Sequence, residues 1–257
     1  MTISLIEDKL INQLNLLKKN YGLLGIKSEF EAEGSSSNDV ARLRSFTNKL
    51  NIKMFVKIGG VEALNDIYNC IELGIDGIIA PMVETKFGAK KFLDIFDKIK
   101  LRKNPMLSIN IETKTGVENL GDILKYSRGK IQNVTIGRSD LSSSYFNEKI
   151  YPNSKFILKK INSIADLAKK YKIRTTVGGS VNAETIKIYS KIKSIKKKIN
   201  RIETRKVILP TNFFLNKIGA LKNALKFEEI YIIQKKETSD LKLSSEILRL
   251  SNLGTRK

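Results

Sequence analysis

Short runs of β-branched and apolar residues alternate with longer amphipathic runs along the whole chain. The longer runs carry apolar residues at i, i+3 and i+4, which is the spacing of a helix with one buried face; Val40, Leu43 and Phe46 form one such face. The short runs have the composition of strands, and they cover residues 25–32, 52–58, 75–80, 106–112, 132–138, 172–178, 206–210 and 230–234. Strands that alternate with helices predict parallel βαβ units.

Eight such units within 257 residues predict an α/β protein with a (β/α)8 TIM barrel, in a single domain over residues 1–257. A doubly wound open sheet is the alternative. The lysine-rich run at 191–205 is interpreted as a solvated helix end that leads into the seventh strand. Two further amphipathic helices are predicted at about 216–229 and 240–253, where they complete the barrel or pack on a neighbouring subunit.

Polar side chains gather where the predicted strands end. In a barrel strand, alternate side chains point into the barrel and towards the surrounding helices. On 106–112 this alternation places Asn110 and Glu112 inside, and on the first two strands it places Glu29, Glu31 and Lys57 inside. Charges that converge in this way are costly to bury without a partner, and the catalytic residues of this fold lie at the carboxyl ends of the strands. We therefore expect one cavity there, the polar rim of an open sheet being the alternative.

A carboxylate also follows the fifth strand, in the segment GRSDLSSS at 137–144. Asp140 of this segment and Glu112 come from neighbouring strand ends. An Asp in such a turn is by itself more often a helix N-cap, but two carboxylates together suit Mg²⁺ or Mn²⁺, with water and substrate oxygens completing the coordination. The sequence thus predicts a divalent metal site.

Three segments carry a family resemblance: ELGIDGIIAPMVETKFGAKKF (72–92), INIETKTGVENLGDI (109–123) and TIGRSDLSSS (135–144). They resemble the citrate lyase β-subunit and hydroxy-oxo-acid aldolase superfamily, a group of phosphoenolpyruvate/pyruvate-type TIM barrels, and the resemblance spans roughly residues 21–180. The resemblance implies a (β/α)8 barrel that binds Mg²⁺ or Mn²⁺ through Glu112 and Asp140. It also implies homo-oligomers and a reaction that makes or breaks a carbon–carbon bond next to a 2-oxo acid or an acyl-CoA thioester.

Two positions depart from the family pattern and mark a divergent branch. The family commonly has an acid or a histidine after the Asp-x-Glu of strand one, whereas here Ala32 follows Glu29-Phe30-Glu31. It usually has an Arg that holds the substrate carboxylate at the end of strand two. Lys57 stands at that place and offers a point charge rather than a bidentate fork.

These residues predict a metal-dependent carbon–carbon lyase or aldolase that stabilises an enolate. Lys57 and Arg138 are expected to neutralise a substrate carboxylate or phosphate, with Gly137 and Ser139 also at the substrate. Glu31, Glu29 or a metal-bound water is expected to move the proton. A barrel that binds a metal or an anion without catalysis is the alternative, because Ala32 removes a usual acid–base group.

Composition excludes several other classes of protein. The chain has no histidine and one cysteine, Cys70, which excludes Ser-His-Asp and Cys-His triads, His zinc sites and an intramolecular disulfide framework. No apolar run approaches the roughly 18 residues of a membrane span. Glu7 and Asp8 interrupt the apolar stretch that a signal peptide needs. We therefore expect a cytoplasmic protein without a membrane partner.

The net charge of +21, from 47 Lys and Arg against 26 Asp and Glu, raises nucleic acid or another polyanion as an alternative partner. Only ten of the 47 basic residues are Arg, and Lys, Ile and Asn are abundant together, as an AT-rich coding bias would produce. Nucleic-acid readers lean on Arg and exposed aromatic residues. We therefore favour a small anionic substrate over nucleic acid.

Overall fold

A computed structural model describes residues 3–99 and 101–254, and its strands close into an eight-stranded barrel in sequence order. The strands are β1 (Gly25–Glu29), β2 (Met54–Lys57), β3 (Gly77–Ala80), β4 (Met106–Ile111), β5 (Asn133–Gly137), β6 (Arg174–Gly178), β7 (Arg201–Glu203) and β8 (Val207–Pro210). The predicted α/β barrel is confirmed.

Helices separate most of the strands and cover the outside of the barrel. They are α1 (Ile3–Tyr21), α2 (Ser37–Lys49), α3 (Leu64–Glu72), α4 (Lys86–Lys98), α5 (Lys114–Glu118), α6 (Leu120–Ser127), α7 (Arg138–Ser143), α8 (Lys155–Lys170), α9 (Ala183–Lys191), α10 (Lys193–Lys198), α11 (Thr211–Asn216) and α12 (Ala220–Gly254). The predicted face of α2 is buried, as Val40, Leu43 and Phe46 show. Among the described helices, none combines the length and the apolar character that a membrane span requires.

Strand β8 runs antiparallel to both of its neighbours, whereas β1 to β7 pair in parallel. Residues 204–206 alone connect β7 to β8, and a parallel neighbour would need a crossover of about a dozen residues. Thr204 closes this hairpin, because its N–H donates to the carbonyl of Val207 and its hydroxyl accepts from the N–H of Val207. The tip of the hairpin therefore lies at the end of the barrel where the parallel strands finish.

The predicted strand at 230–234 is wrong, and the two helices predicted on either side of it are one helix, α12. Ile230, Tyr231 and Gln234 are buried, whereas Ile232 and Ile233 are exposed, so burial follows helical spacing. The segment at 206–210 is the eighth strand, not the seventh, and β7 lies inside the run interpreted as a helix end.

Side chains inside the barrel change from apolar to polar along its axis. Phe55, Ile79 and Ile208 form a small apolar layer near the beginning of the first strands. Further along, Asn133 donates from Nδ2 to Ser108 Oγ at 2.9 Å and accepts at Oδ1 from Thr176 Oγ1 at 2.9 Å. Charged side chains follow at the carboxyl ends of the strands. The barrel interior is therefore packed with apolar side chains at one end and lined with charged side chains at the other.

Candidate active site

A cavity of about 430 Å³ opens at the end of the barrel where the parallel strands finish. Five residues that the sequence places at this rim line it together: Glu29, Lys57, Asn110, Glu112 and Asp140. The inward alternation predicted for β1, β2 and β4 brings the first four of them there. The fifth belongs to the first turn of α7, directly after β5.

Four side chains on β1, β2 and β7 form a row of alternating charge along one wall of the cavity. We call this row, Lys57–Glu29–Lys27–Glu203, the ionic chain. Lys57 Nζ lies 3.1 Å from Glu29 Oε2. Lys27 Nζ lies 3.0 Å from Glu29 Oε1 and 2.8 Å from Glu203 Oε1. The side chains are almost wholly buried, the most exposed being Lys57 at 16 %. Two ammonium groups and two carboxylates thus balance one another at close range.

This pairing keeps all the central groups of the chain ionised. Burial alone would raise the pKa of Glu29, but Lys27 and Lys57 outweigh burial and lower this pKa to about 2. Burial alone would lower the pKa of Lys27, but the carboxylates of Glu203 and Glu29 outweigh it and raise that pKa above its usual value. Glu29 is therefore a permanent anion at neutral pH.

Glu112 is held in one position by one donor from its own strand, β4, and one from the segment that follows β3. Its Oε1 accepts from the N–H of Met82 at 3.0 Å, and its Oε2 accepts from Asn110 Nδ2 at 3.0 Å. The carboxylate lies directly over Gly137, where a Cβ would come within 2.4 Å of Oε2. Glycine at the end of β5 thus makes room for the carboxylate of β4.

Glu112 and Asp140 are the two cavity carboxylates that form no ion pair within the described part of the chain. Burial raises the pKa of Glu112, and the carboxylate of Asp140 raises it further, while the N–H of Met82 and the charge of Lys57 act in the opposite direction. Among the described residues, neither carboxylate has a lysine or arginine within ion-pairing distance. The lysine that acts on Glu112 is already paired with Glu29. The cavity is therefore lined by two carboxylates, buried Glu112 and exposed Asp140, that have no ion-pair partner among the described residues.

The oxygen atoms present fit a hard divalent ion. Asn110 Oδ1 is buried and has no hydrogen-bond partner in the described part of the chain, so it adds a third free oxygen beside the two carboxylates. Within that part no group of three or more Asp, Glu, Cys or His side chains converges on one point. Mg²⁺ commonly uses only one or two carboxylates and takes its other ligands from water and substrate, so Glu112, Asp140 and Asn110 match this preference.

Arg138 does not contact the cavity, and its predicted contact with substrate is wrong. The side chain is fully buried. It donates from Nε to the carbonyl of Gly178 at 3.1 Å, from Nη2 to that of Gly179 at 2.6 Å and from Nη1 to Asn153 Oδ1 at 2.7 Å. Since α7 starts at this residue, the guanidinium reaches back across the end of β6, where it fixes the following turn.

Ser139 and Gly137 line the cavity, and their contact with a substrate stays a prediction. Ser139 Oγ lies 2.7 Å from Ser180 Oγ, at the exposed edge of the site. The turn that carries Ser180 is the one held by Arg138, so this arginine positions a cavity wall rather than a ligand.

Glu31 does not share the cavity with the other predicted residues. The strand β1 ends at Glu29, and the inward–outward alternation ends with it. Glu31 lies exposed in the following turn. Its side chain packs against Gly59, since a Cβ added to Gly59 would lie 2.7 Å from Glu31 Cγ. Ala32 reaches the cavity rim instead.

Sequence reasoning missed two members of the ionic chain. Lys27 could have been predicted from the sequence, because it lies two residues before Glu29 and therefore on the same face of the strand. Glu203 was hidden, because its three-residue strand follows a lysine-rich helix end and carries only one apolar residue, Ile202.

The family model described as HpcH/HpaI aldolase/citrate lyase matches residues 38–187, more than half of the chain. No curated protein sequence matches this chain. Solved structures with a similar fold include an HpcH/HpaI aldolase from Desulfitobacterium hafniense, at 13% identity and TM-score 0.60, covering 76% of this chain and 81% of that one. An HpcH/HpaI aldolase/citrate lyase family protein from Burkholderia cenocepacia has 12% identity and TM-score 0.61, covering 79% and 83%. The citrate synthase variant SbnG has 14% identity and TM-score 0.56, covering 91% of each chain.

Proposed function

Because the chain belongs to the HpcH/HpaI aldolase/citrate lyase family, we propose that it is a metal-dependent carbon–carbon lyase of this class. Its substrate is a small anion, a 2-oxo acid or an acyl-CoA thioester. The observation that carries the proposal is the pair of carboxylates, Glu112 and Asp140, that share one cavity without a cation of their own. Glu112 is buried and Asp140 is exposed, and the charge of Asp140 disfavours the ionised form of Glu112; a bound divalent cation would remove this repulsion.

Glu112, Asp140 and Asn110 Oδ1 would hold Mg²⁺ or Mn²⁺. A divalent ion in this position supplies Lewis-acid stabilisation of the negative charge that develops on a carbonyl oxygen. The hydrogen bonds from Met82 and Asn110 to Glu112 fix the carboxylate before the ion arrives, so little reorganisation is needed on binding.

The reaction proposed for a 4-hydroxy-2-oxo acid is an aldol cleavage. The bond between C3 and C4 breaks, its electron pair moves towards C3, and the proton of the 4-hydroxyl leaves, which gives an aldehyde and the enolate of a 2-oxo acid. A proton then returns to C3. The same chemistry in reverse forms the bond.

Lys57 is the cation that neutralises the carboxylate of the substrate. Its ammonium is held by Glu29 at 3.1 Å but retains two further N–H donors for a ligand. Glu29 is too acidic to act as the general base, because its pKa of about 2 lies far from neutral pH. Its role is to hold Lys57 in place.

Proton transfer then falls to groups outside the ionic chain. The hydroxyls of Ser139 and Ser180 touch each other at the open edge of the cavity, and hydroxyls both donate and accept. We assign them as a relay between the cavity and solvent.

The test is product formation from a panel of 4-hydroxy-2-oxo acids and 3-hydroxyacyl-CoA thioesters, with Mg²⁺ or Mn²⁺ and with a chelator. Release of pyruvate or of a shortened thioester with the metal, and its loss with the chelator, would support the proposal. Metal binding without turnover on any member of the panel would instead favour the non-catalytic barrel. The cytoplasmic location and the homo-oligomer expected from the sequence stay predictions.

A further inference from the structure

A second hollow, of about 500 Å³, adjoins the cavity beside the β7–β8 hairpin. We name it the side groove; it runs between the hairpin tip and α12. The two spaces share three lining residues: Ala32, Arg205 and Glu228. A ligand seated in the cavity can therefore extend into the side groove without leaving the protein surface.

Ala32 stands at the junction of the two spaces. It is exposed, and its side chain is a single methyl group. A larger acid or imidazole at this position would project into the passage. The small residue at position 32, which removes a candidate acid–base group, thus also leaves the passage open.

The side groove has an excess of positive charge. Its charged lining consists of four basic residues and two acidic ones: Arg205, Lys206, Lys235, Lys236, Glu33 and Glu228. Lys206 is buried and ion-paired with Glu33, and Lys235 lies 3.7 Å from Asp39. In the described part of the chain, Arg205 and Lys236 have no carboxylate within ion-pairing distance. Two exposed cations are thus left at the groove without a partner.

The floor of the side groove is largely apolar. Tyr231 lies below it, with the ammonium of Lys206 4.3 Å from the centre of its ring. Ile232 borders the groove and is 65% exposed, and the alkyl stems of the neighbouring lysines add further apolar surface. An apolar channel with cations at its rim suits an elongated ligand that has an apolar arm and an anionic end.

We infer that the side groove binds the tail of the substrate, an anionic group carried on an apolar arm, while the reacting end occupies the cavity. This inference rests on the proposed function only for the identity of the reacting end. Arg205 and Lys236 pair with the anionic group, Ile232 and Tyr231 contact the arm, and Ala32 lets the arm pass.

The experiment measures binding of n-hexyl phosphate to the full chain by calorimetry, beside inorganic phosphate and 1-hexanol. We expect n-hexyl phosphate to bind more tightly than either fragment, because it uses both the cations and the apolar floor. Replacing Arg205→Gln together with Lys236→Gln should weaken its binding about tenfold or more. The matched control, Arg128→Gln with Lys222→Gln, removes the same two charges from exposed positions elsewhere and should leave it unchanged.

The apolar contact has its own matched pair of variants. Ile232→Gln should weaken the binding of n-hexyl phosphate but not that of inorganic phosphate. Ile233→Gln changes the next exposed residue, which lies outside the groove lining, and should change neither affinity. Equal weakening by the control pairs would overturn the inference, as would equal affinity for n-hexyl phosphate and inorganic phosphate. Because this readout needs no turnover, an inactive protein that passes it contradicts the proposed lyase and not the groove.

Discussion

At the scale of single residues, the ionic chain from Lys57 to Glu203 explains how the barrel can bury four charges next to a substrate cavity. Each interior charge touches an opposite one within about 3 Å, which offsets the cost of removing it from water. Removing one member leaves its neighbours buried and uncompensated. The ionic chain therefore stabilises the fold by an amount that depends on pH.

Glu29→Gln tests this dependence. The folded-state pKa of Glu29, about 2, lies below the ordinary value of 4.5. The stabilisation is therefore complete above about pH 4.5 and is lost as pH falls towards about 2. We expect the variant to lower the free energy of unfolding at pH 7 by about 3 kcal/mol. In denaturant titrations, the difference in the free energy of unfolding between the wild type and Glu29→Gln should become smaller below pH 4.5.

Glu118→Gln is the matched control, because Glu118 is 60% exposed and lies 3.9 Å from its lysine partner. It should change the free energy of unfolding by only a few tenths of a kcal/mol. A gap between wild type and Glu29→Gln that stays constant from pH 7 to pH 3 would contradict the account of the ionic chain.

Gly137→Ala tests the close approach of Glu112 to β5. The added methyl group would come within 2.4 Å of Glu112 Oε2, so the carboxylate must move from its hydrogen bonds. We expect the affinity for Mn²⁺ to fall by about tenfold or more, measured by calorimetry. Gly121→Ala places the same methyl group where nothing lies within 4 Å and should bind Mn²⁺ as the wild type does; equal affinities in both variants would contradict the assigned packing.

Strand alternation predicted the inward residues well wherever a strand is regular. Asn110, Glu112 and Lys57 line the cavity as expected. Alternation failed at Glu31, because no sequence signal fixes where β1 ends. It could not find the role of Arg138 either, since the orientation of that side chain depends on how α7 packs on β6 and α9.

At the scale of elements, the β7–β8 hairpin is the main departure from the predicted alternation. A short, largely apolar run such as IYIIQ at 230–234 fits a buried strand and a buried helix turn equally well by periodicity. The chain after Gly219 contains no glycine or proline before Gly254, which permits one continuous helix. The lost strand is replaced by the hairpin, and the hairpin tip supplies Arg205 to both the cavity and the side groove.

The outer part of α12 should be dispensable for the barrel. The last residue of this helix with a buried side chain among those described is Gln234. A chain that ends at Asp240 keeps α1, the barrel and the side groove. We expect its melting temperature to stay within about 2 °C of the full chain, a shift smaller than that from 1 kcal/mol.

Calorimetric melting at two protein concentrations checks this expectation. A fall of more than about 5 °C in the shortened chain would contradict it. A control chain that ends at Phe227 loses the buried residues Ile230 and Tyr231 and should melt far lower.

At the scale of the whole molecule, charge is distributed unevenly between the surface and the site. The chain has a net charge of +21, yet the cavity is lined by Glu112 and Asp140, two carboxylates without an ion-pair partner among the described residues. A basic exterior attracts anions, while this pair of carboxylates is suited to a cation. The combination fits an enzyme that draws a small anion to a metal ion, and binding of nucleic acid stays an untested alternative.

The most direct measurement of the central claim is a calorimetric titration of Mg²⁺ and Mn²⁺ into the wild type, Glu112→Gln and Asp140→Asn. The control variants are Glu118→Gln and Asp122→Asn, which make the same chemical changes at exposed positions. The proposed metal site predicts one ion bound by the wild type and by both controls, and affinity reduced by about a hundredfold or lost in each site variant. Unchanged affinity in Glu112→Gln and Asp140→Asn, both folded, would contradict it.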